Sequence, residues 1–176
     1  MFIRVSSLLA VAAMLAACGG GGGGGGSSAS TPPAPSGSDA SPAGDIPDNQ
    51  AYVRFTPSGA RFSVKVPEGW SQTSKPRDIR FSDKLNTIEL TWDAAVAPAP
   101  ANAKVSAVKR TAGQARRATY LAAGQPDPVT GKKRVDAVER YEFTHSGRTV
   151  VLTLSGPKGA DNVDPWRIVT DSLRWR

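Results

Sequence analysis

The sequence predicts an α+β domain, mainly antiparallel β-sheet packed against a short C-terminal helix. Three observations carry that expectation. Residues 61–66 alternate strictly between polar and apolar. Two runs of strand-like residues flank His145-Ser146-Gly147. Near the end, Asp164-Pro165-Trp166 opens a stretch with apolar residues at helical spacing. The first 49 residues stand outside this domain. Of the 18 Gly in the 176-residue chain, those from Gly19 to Gly26 form one unbroken run. From Gln50 onward the Gly and Pro content is ordinary, and the remaining length suits one domain with one core.

Phe62, Val64 and Val66 share one face of the first strand, and Arg61, Ser63 and Lys65 share the other, the signature of a half-buried strand. Pro67-Glu68-Gly69-Trp70 ends it with turn chemistry. Ile79 and Phe81 repeat the alternation briefly, then Ile88, Leu90 and Trp92 do so against Thr87, Glu89 and Thr91. Residues 82–86 between them read as a hairpin connection. Residues 104–122 are rich in Ala but lack a sustained helical stripe, and Thr111 to Gln114 break the run, which favours two strands. The clearest hairpin runs from Arg134 to Phe143 and back from Arg148 to Ser155, with Gly147 supplying the positive φ such turns use. Val151 and Thr153 on its second arm are uncharged, so that strand is expected to be covered on both faces. At the end, Asp164 is a favourable N-cap, Pro165 suits the first helical position, and Trp166, Val169 and Leu173 fall at i, i+3, i+7. A helix of about nine residues persists only if it packs on the sheet.

Residues 1–17 have a basic start, Arg4, then an apolar stretch and small residues, the layout of a secretory signal. The apolar part is shorter than the roughly 20 residues a bilayer span needs. Leu15-Ala16-Ala17-Cys18 resembles the lipobox of bacterial lipoproteins. That resemblance implies a diacylglycerol on the Cys18 thiol and cleavage just before it. It also implies an exported protein held on the outer face of the cell membrane by its N-terminal lipid. Residues 18–49 then read as the lipidated Cys and a disordered Gly/Ser/Pro tether, with no aromatic and only Ile46 as a branched aliphatic. The single globular domain is assigned to residues 50–176.

That domain carries Arg61 to Trp70, Ile79-Arg80-Phe81-Ser82-Asp83, the long hairpin, Leu154-Ser155-Gly156-Pro157, Asp161 to Trp166 and Ser172-Leu173-Arg174-Trp175. In these it resembles the PsbP-like group of small exported domains, and in particular uncharacterised lipoproteins of high-GC Gram-positive bacteria. The resemblance implies an antiparallel sheet sandwiched by helices, and no catalytic residues. The chain departs from the pattern at 94–103, where Pro98 and Pro100 interrupt the segment. One helical layer is therefore expected to be thin or missing.

One Cys excludes an intramolecular disulfide or a Cys-cluster metal site, and one His excludes a His pair. His145, the sole imidazole base, falls at the hairpin turn, where neighbouring Ser146 is poorly placed for a triad. Glu139 and Glu142, three apart on one strand, face opposite sides and do not form a carboxylate pair. Asp161, Asn162 and Asp164 lack the loop a calcium site needs and read as helix capping. Trp70, Trp92, Trp166 and Trp175 are read as core, with a partly exposed aromatic site as the alternative. No catalytic residue, metal or cofactor is assigned.

Charge is the most usable signal. Residues 50–176 hold 21 Lys and Arg against 12 Asp and Glu, so the domain is more basic than the +7 of the whole chain. Lys109, Arg110, Arg116, Arg117, Lys132, Lys133 and Arg134 form the candidate patch for an anionic partner, with Lys104 nearby. Outside a cell, anionic lipid or acidic cell-wall polymer fits such a patch better than nucleic acid. The expectation is a membrane-anchored, non-enzymatic binding or accessory domain at the cell envelope. The competing readings are a cell-wall-modifying enzyme, which needs a cleft with convergent carboxylates, and a structural envelope component that binds a protein partner.

Overall fold

A computed structural model describes residues 43–95, 97–126 and 130–176. The signal, Cys18 and the tether as far as residue 42 lie outside the described residues. The strands are β1 (Tyr52–Phe55), β2 (Phe62–Pro67), β3 (Ser71–Lys75), β4 (Asp78–Asp83), β5 (Asn86–Trp92), β6 (Lys104–Arg110), β7 (Gly113–Ala123), β8 (Val135–His145), β9 (Arg148–Pro157) and β10 (Arg174–Trp175). The helix α1 spans Val163–Asp171. Seven strands form one sheet in the order β3-β4-β5-β9-β8-β7-β6, and β1-β2-β10 form a second. Every neighbouring pair is antiparallel. The chain is a sheet-dominated α+β fold with one short helix among the described residues.

Alternation sets the faces as expected. Ile79 and Phe81 of β4, Ile88, Leu90 and Trp92 of β5, Val150, Leu152 and Leu154 of β9, and Tyr141 and Phe143 of β8 are all buried. Register puts them on one face of the large sheet. Against them pack Phe62, Val64 and Val66 from β2 and Trp166 and Val169 from α1, all in one core. Edge-to-face ring pairs, Phe62 on Trp92 at 5.9 Å and Phe55 on Phe81 at 5.1 Å, tie the small sheet to the large one. Residues 104–123 form the two strands β6 and β7, as the missing helical stripe implies. Two strands give no such signal. β3 is Ser-Gln-Thr-Ser-Lys, exposed throughout, and β1 is only four residues long.

The opposite face of the large sheet is covered too. Ala118, Val138, Arg140 and Val151 share it by register and are buried. The connection from β5 to β6 must cross three intervening strands, and Arg140 Nη1 donates to the carbonyl of Ala97 in that connection. The described residues of 94–103 contain no helix. Prolines in the segment leave it an extended strap in place of a helical layer.

Two boundaries differ from expectation. The helix starts two residues earlier than Asp164 would set it, with Asn162 in the N-cap position and making no side-chain cap bond. The Asn162 amide is committed elsewhere: its Oδ1 accepts the Ile46 N–H at 2.8 Å, and its Nδ2 donates to the Gly44 carbonyl at 3.1 Å and to Asn86 Oδ1 at 3.0 Å. Asp164 sits in the first turn, where a negative charge favours the helix dipole, and pairs with Arg167 at 3.3 Å. Leu173 lies beyond the helix but is fully buried. The second boundary is the start of the domain. Ile46, assigned to the tether, is buried in the core, and Asp45 Oδ1 accepts the Asp161 N–H at 2.9 Å. The folded unit therefore reaches back at least to Gly44, because one branched aliphatic and a buried amide pair suffice to hold that stretch down.

Candidate anion-binding cleft

The seven basic residues expected to form a patch are not brought together. Arg110 and Arg117 lie on the core face beneath α1. Arg110 Nη2 donates to the Tyr141 hydroxyl at 3.1 Å, Arg110 Nε donates to Thr170 Oγ1 at 3.3 Å, and the guanidinium lies 3.7 Å from Asp171. Arg117 pairs with Glu139, whose other oxygen accepts the Tyr141 O–H at 2.6 Å. Both guanidinium groups also stand over the Tyr141 ring, at 5.2 and 5.9 Å. Burial and the hydrogen bond to Glu139 raise the Tyr141 phenol above its ordinary value, with Arg110 and Arg117 opposing them. Arg110 thereby fastens the helix to the sheet, and Arg117 joins β7 to β8. Arg116 is on the other face, paired with Glu142 at 3.2 Å, and Arg134 is held by Asp136 at 2.6 Å.

Lys109, Lys132 and Lys133 are the exposed, unpaired members among the described residues. Lys109 lies at the β6–β7 turn and the other two at the far end of β7. Eleven residues of strand at ~3.4 Å each put those ends roughly 35 Å apart. Sequence proximity concealed that separation, because each basic run straddles a turn or alternates between two faces.

A different basic group does converge. At the end of the sheet carrying the β8–β9 turn, a half-open cleft of about 300 Å³ is lined by Arg61, His145, Ser146, Arg148, Trp175 and Arg176. Its floor follows from local sequence. Ser146 and Gly147 both have positive φ, 49° and 73°, so the hairpin closes in a two-residue turn. His145 and Arg148 are thereby cross-strand partners on one face. β10 brings Trp175 opposite Phe62, and the Arg176 N–H donates to the Arg61 carbonyl at 2.9 Å. The His145 and Trp175 rings stack at 5.3 Å with 25° between planes, and Trp175 Nε1 is anchored on the Ala112 carbonyl at 3.1 Å.

Arg148 is oriented by Asp93 at 2.9 Å, whose backbone carbonyl takes Arg77 Nη1 at 2.6 Å. Arg61 and Arg176 make no ion pair among the described residues. Arginine forks and an exposed aromatic pair are the groups that bind phosphate or carboxylate attached to a planar or sugar-like body. Of these residues only His145, Ser146 and Trp175 stand out in the sequence as candidates for chemistry or binding. Arg61, Arg148 and Arg176 are spread over more than 110 positions and carry no shared motif.

The other candidate chemistry is dispersed. Glu139 and Glu142 face opposite sides, and Glu142 lies 2.8 Å from Arg140 as well as bonding Arg116. Trp92 and Trp166 are core, whereas Trp175 is half-exposed in the cleft. The Asn162 oxygen is turned inward on Ile46.

The fold and cleft define an antiparallel α+β domain with a basic-aromatic end. No family model matches the chain, and no curated protein matches it. Eight solved chains do. Among them is a crystal structure from Bacteroides thetaiotaomicron VPI-5482, similar over 70% of this chain and 48% of that one, at 17% identity and a TM-score of 0.50. The present chain thus spans about half the length of that protein, and the likeness is one of fold.

Proposed function

We propose that this chain is an exported lipoprotein, anchored through acylated Cys18, whose domain is a non-enzymatic binding or accessory module for an anionic partner at the cell envelope. Its sheet and strap are compatible with the PsbP-like resemblance, with one helical layer replaced. The observation that supports binding is the convergence of Arg61, Arg148 and Arg176 on the stacked His145–Trp175 pair in one cleft. Basic groups gathered at the end of a domain raise the local concentration of anions and strengthen their capture. The partner class is anionic lipid or acidic wall polymer.

Binding to vesicles rich in phosphatidylglycerol, or to a glycerol-phosphate polymer, is expected to weaken steadily as salt rises. Arg61→Glu and Arg176→Glu, both at exposed and unpaired positions, are each expected to lose affinity roughly tenfold or more, the worth of a charge-assisted hydrogen bond. Lys132→Glu should have little effect. Salt-independent binding, or equal losses at Lys132 and Arg61, would exclude the cleft as the recognition site. The anchor has its own test. Cys18→Ala is expected to move the protein from the membrane to the soluble fraction, and labelled palmitate should mark only the wild type. A Cys18→Ala chain that stays on the membrane contradicts the lipid anchor.

A further inference from the structure

The arginine cleft does not end at Arg148. A second, more open concavity of about 670 Å³ adjoins it, and the two share Ser146 and Arg148 as a common wall. Arg77, from the turn between β3 and β4, also lines the second concavity. Local backbone puts it there. Arg77 and Asp93 both have positive φ, 59° and 46°, just before β4 begins and just after β5 ends. The Trp92 N–H donates to the Arg77 carbonyl at 3.2 Å, and the Asp93 N–H donates to the Thr149 carbonyl at 3.0 Å. These bonds tie the ends of β4, β5 and β9 together, with both Arg77 and Arg148 hydrogen-bonded to Asp93.

Charge distinguishes the two spaces from a solvated surface. Among the described residues no acidic side chain lines the cleft, and Asp93 is the one acid lining its neighbour. The Asp93 carboxylate is committed to Arg148, and to Arg77 it offers only its backbone carbonyl. Arg77 is exposed and makes no ion pair among the described residues. Each concavity thus keeps positive charge of its own, Arg61 and Arg176 in one and Arg77 in the other. Arg77 and Arg148 come from strands separated by β5, two strand spacings or roughly 10 Å across the sheet. A single phosphate fills one concavity. A chain whose charges recur every few bonds reaches both, and its second contact then forms within the complex. We infer that the cleft and its neighbour together take two successive phosphate groups of a linear phosphodiester polymer. Arg61 and Arg176 hold one group and Arg77 the next, with Arg148 between them. This rests on the cleft being an anion site, and it narrows the partner from lipid headgroup to polymer.

The test titrates the full chain with synthetic glycerol-phosphate chains of one and four units, capped as diesters and followed by the NMR shifts of the Ser146 and Gly147 amides. The four-unit chain is expected to bind at least roughly thirtyfold more tightly than the single unit. A gain of about fourfold or less, which four equivalent units supply by number alone, would overturn the inference while leaving the cleft an anion site. Arg77→Gln and Arg77→Glu should each weaken the four-unit chain at least roughly tenfold and leave the single unit bound as before, which also shows that the variants fold. Lys132→Glu makes the same change of charge at a remote exposed position and should weaken neither. Equal losses at Arg77→Glu and Lys132→Glu, or equal losses on both ligands, would reduce Arg77 to part of the general field and overturn the inference. Phosphatidylglycerol vesicles test the lipid source. If they bind more tightly than the four-unit chain at equal phosphate, and lose as much on Arg77→Glu, two headgroups occupy the two spaces and the polymer is excluded. No binding of either chain would remove the cleft itself as an anion site.

Discussion

Phe62→Ala is expected to lower the unfolding free energy by about 4 kcal/mol, the usual range for truncating a buried Phe. The residue is 1% exposed and sits where β2 meets the large sheet, edge-to-face on Trp92. Its removal takes away apolar area and leaves a cavity between two sheets that do not share a hydrogen-bond ladder. The collapse that softens such losses elsewhere is resisted by neighbours held in their own ladders. β2 also pairs with β10, which carries Trp175, so loosening Phe62 reaches the cleft. Urea unfolding of the variant should show the midpoint falling without a change in slope. Phe62→Leu should recover most of the loss. A cost under 1 kcal/mol would mean the small sheet is not part of the cooperative core.

Asn162→Ala is expected to cost roughly 3 kcal/mol, from leaving the buried Ile46 N–H without its acceptor and Asn86 Oδ1 without its donor. The geometry leaves no room for a substitute. A Cβ on Gly156 would fall against Asn86 Oδ1 and within 2.9 Å of Asn162 Nδ2. The site is built for two amides packed on a bare backbone. Loss of the Asn162 amide should free Gly44 to Ile46 before the sheet melts. Proteolysis within residues 43–49 and faster exchange at the Ile46 amide are the readouts, alongside a melting temperature lower by on the order of 10 °C. Unchanged protection at Ile46 would show that the burial of its side chain alone holds the segment.

Much of the fold was legible because alternation is a direct image of burial. Phe62-Val64-Val66 and Ile88-Leu90-Trp92 face the core as their spacing requires. Val151, uncharged on the outer face of β9, is buried as expected for a strand covered on both sides. β3 was illegible since an exposed edge strand has no apolar face to report. Asn162 misled because a helix-start residue and a buried hydrogen-bond hub share one chemistry, and only tertiary contact separates them. The basic residues were harder still. Composition revealed the excess of positive charge, but the direction of each arginine depends on strand parity. Arg116 and Arg117 are adjacent, and one faces Glu142 while the other pairs with Glu139 under the helix. The cleft is made by β10 returning to β2 and by the Ser146-Gly147 turn, contacts remote in sequence.

The seat of Gly44 to Ile46 has a mechanical meaning. Asn86 opens β5 and Gly156 lies near the end of β9, two strands inside the large sheet. Tension on the chain ahead of Gly44 therefore enters the domain beside interior strands instead of at a margin. Peeling from a margin breaks ladder bonds one at a time; loading here meets the Asn86–Asn162 amide pair and the Ile46 anchor together. A domain gripped this way withstands pulling better than one hung from β3 or β6, whose ladders can unzip from the outside.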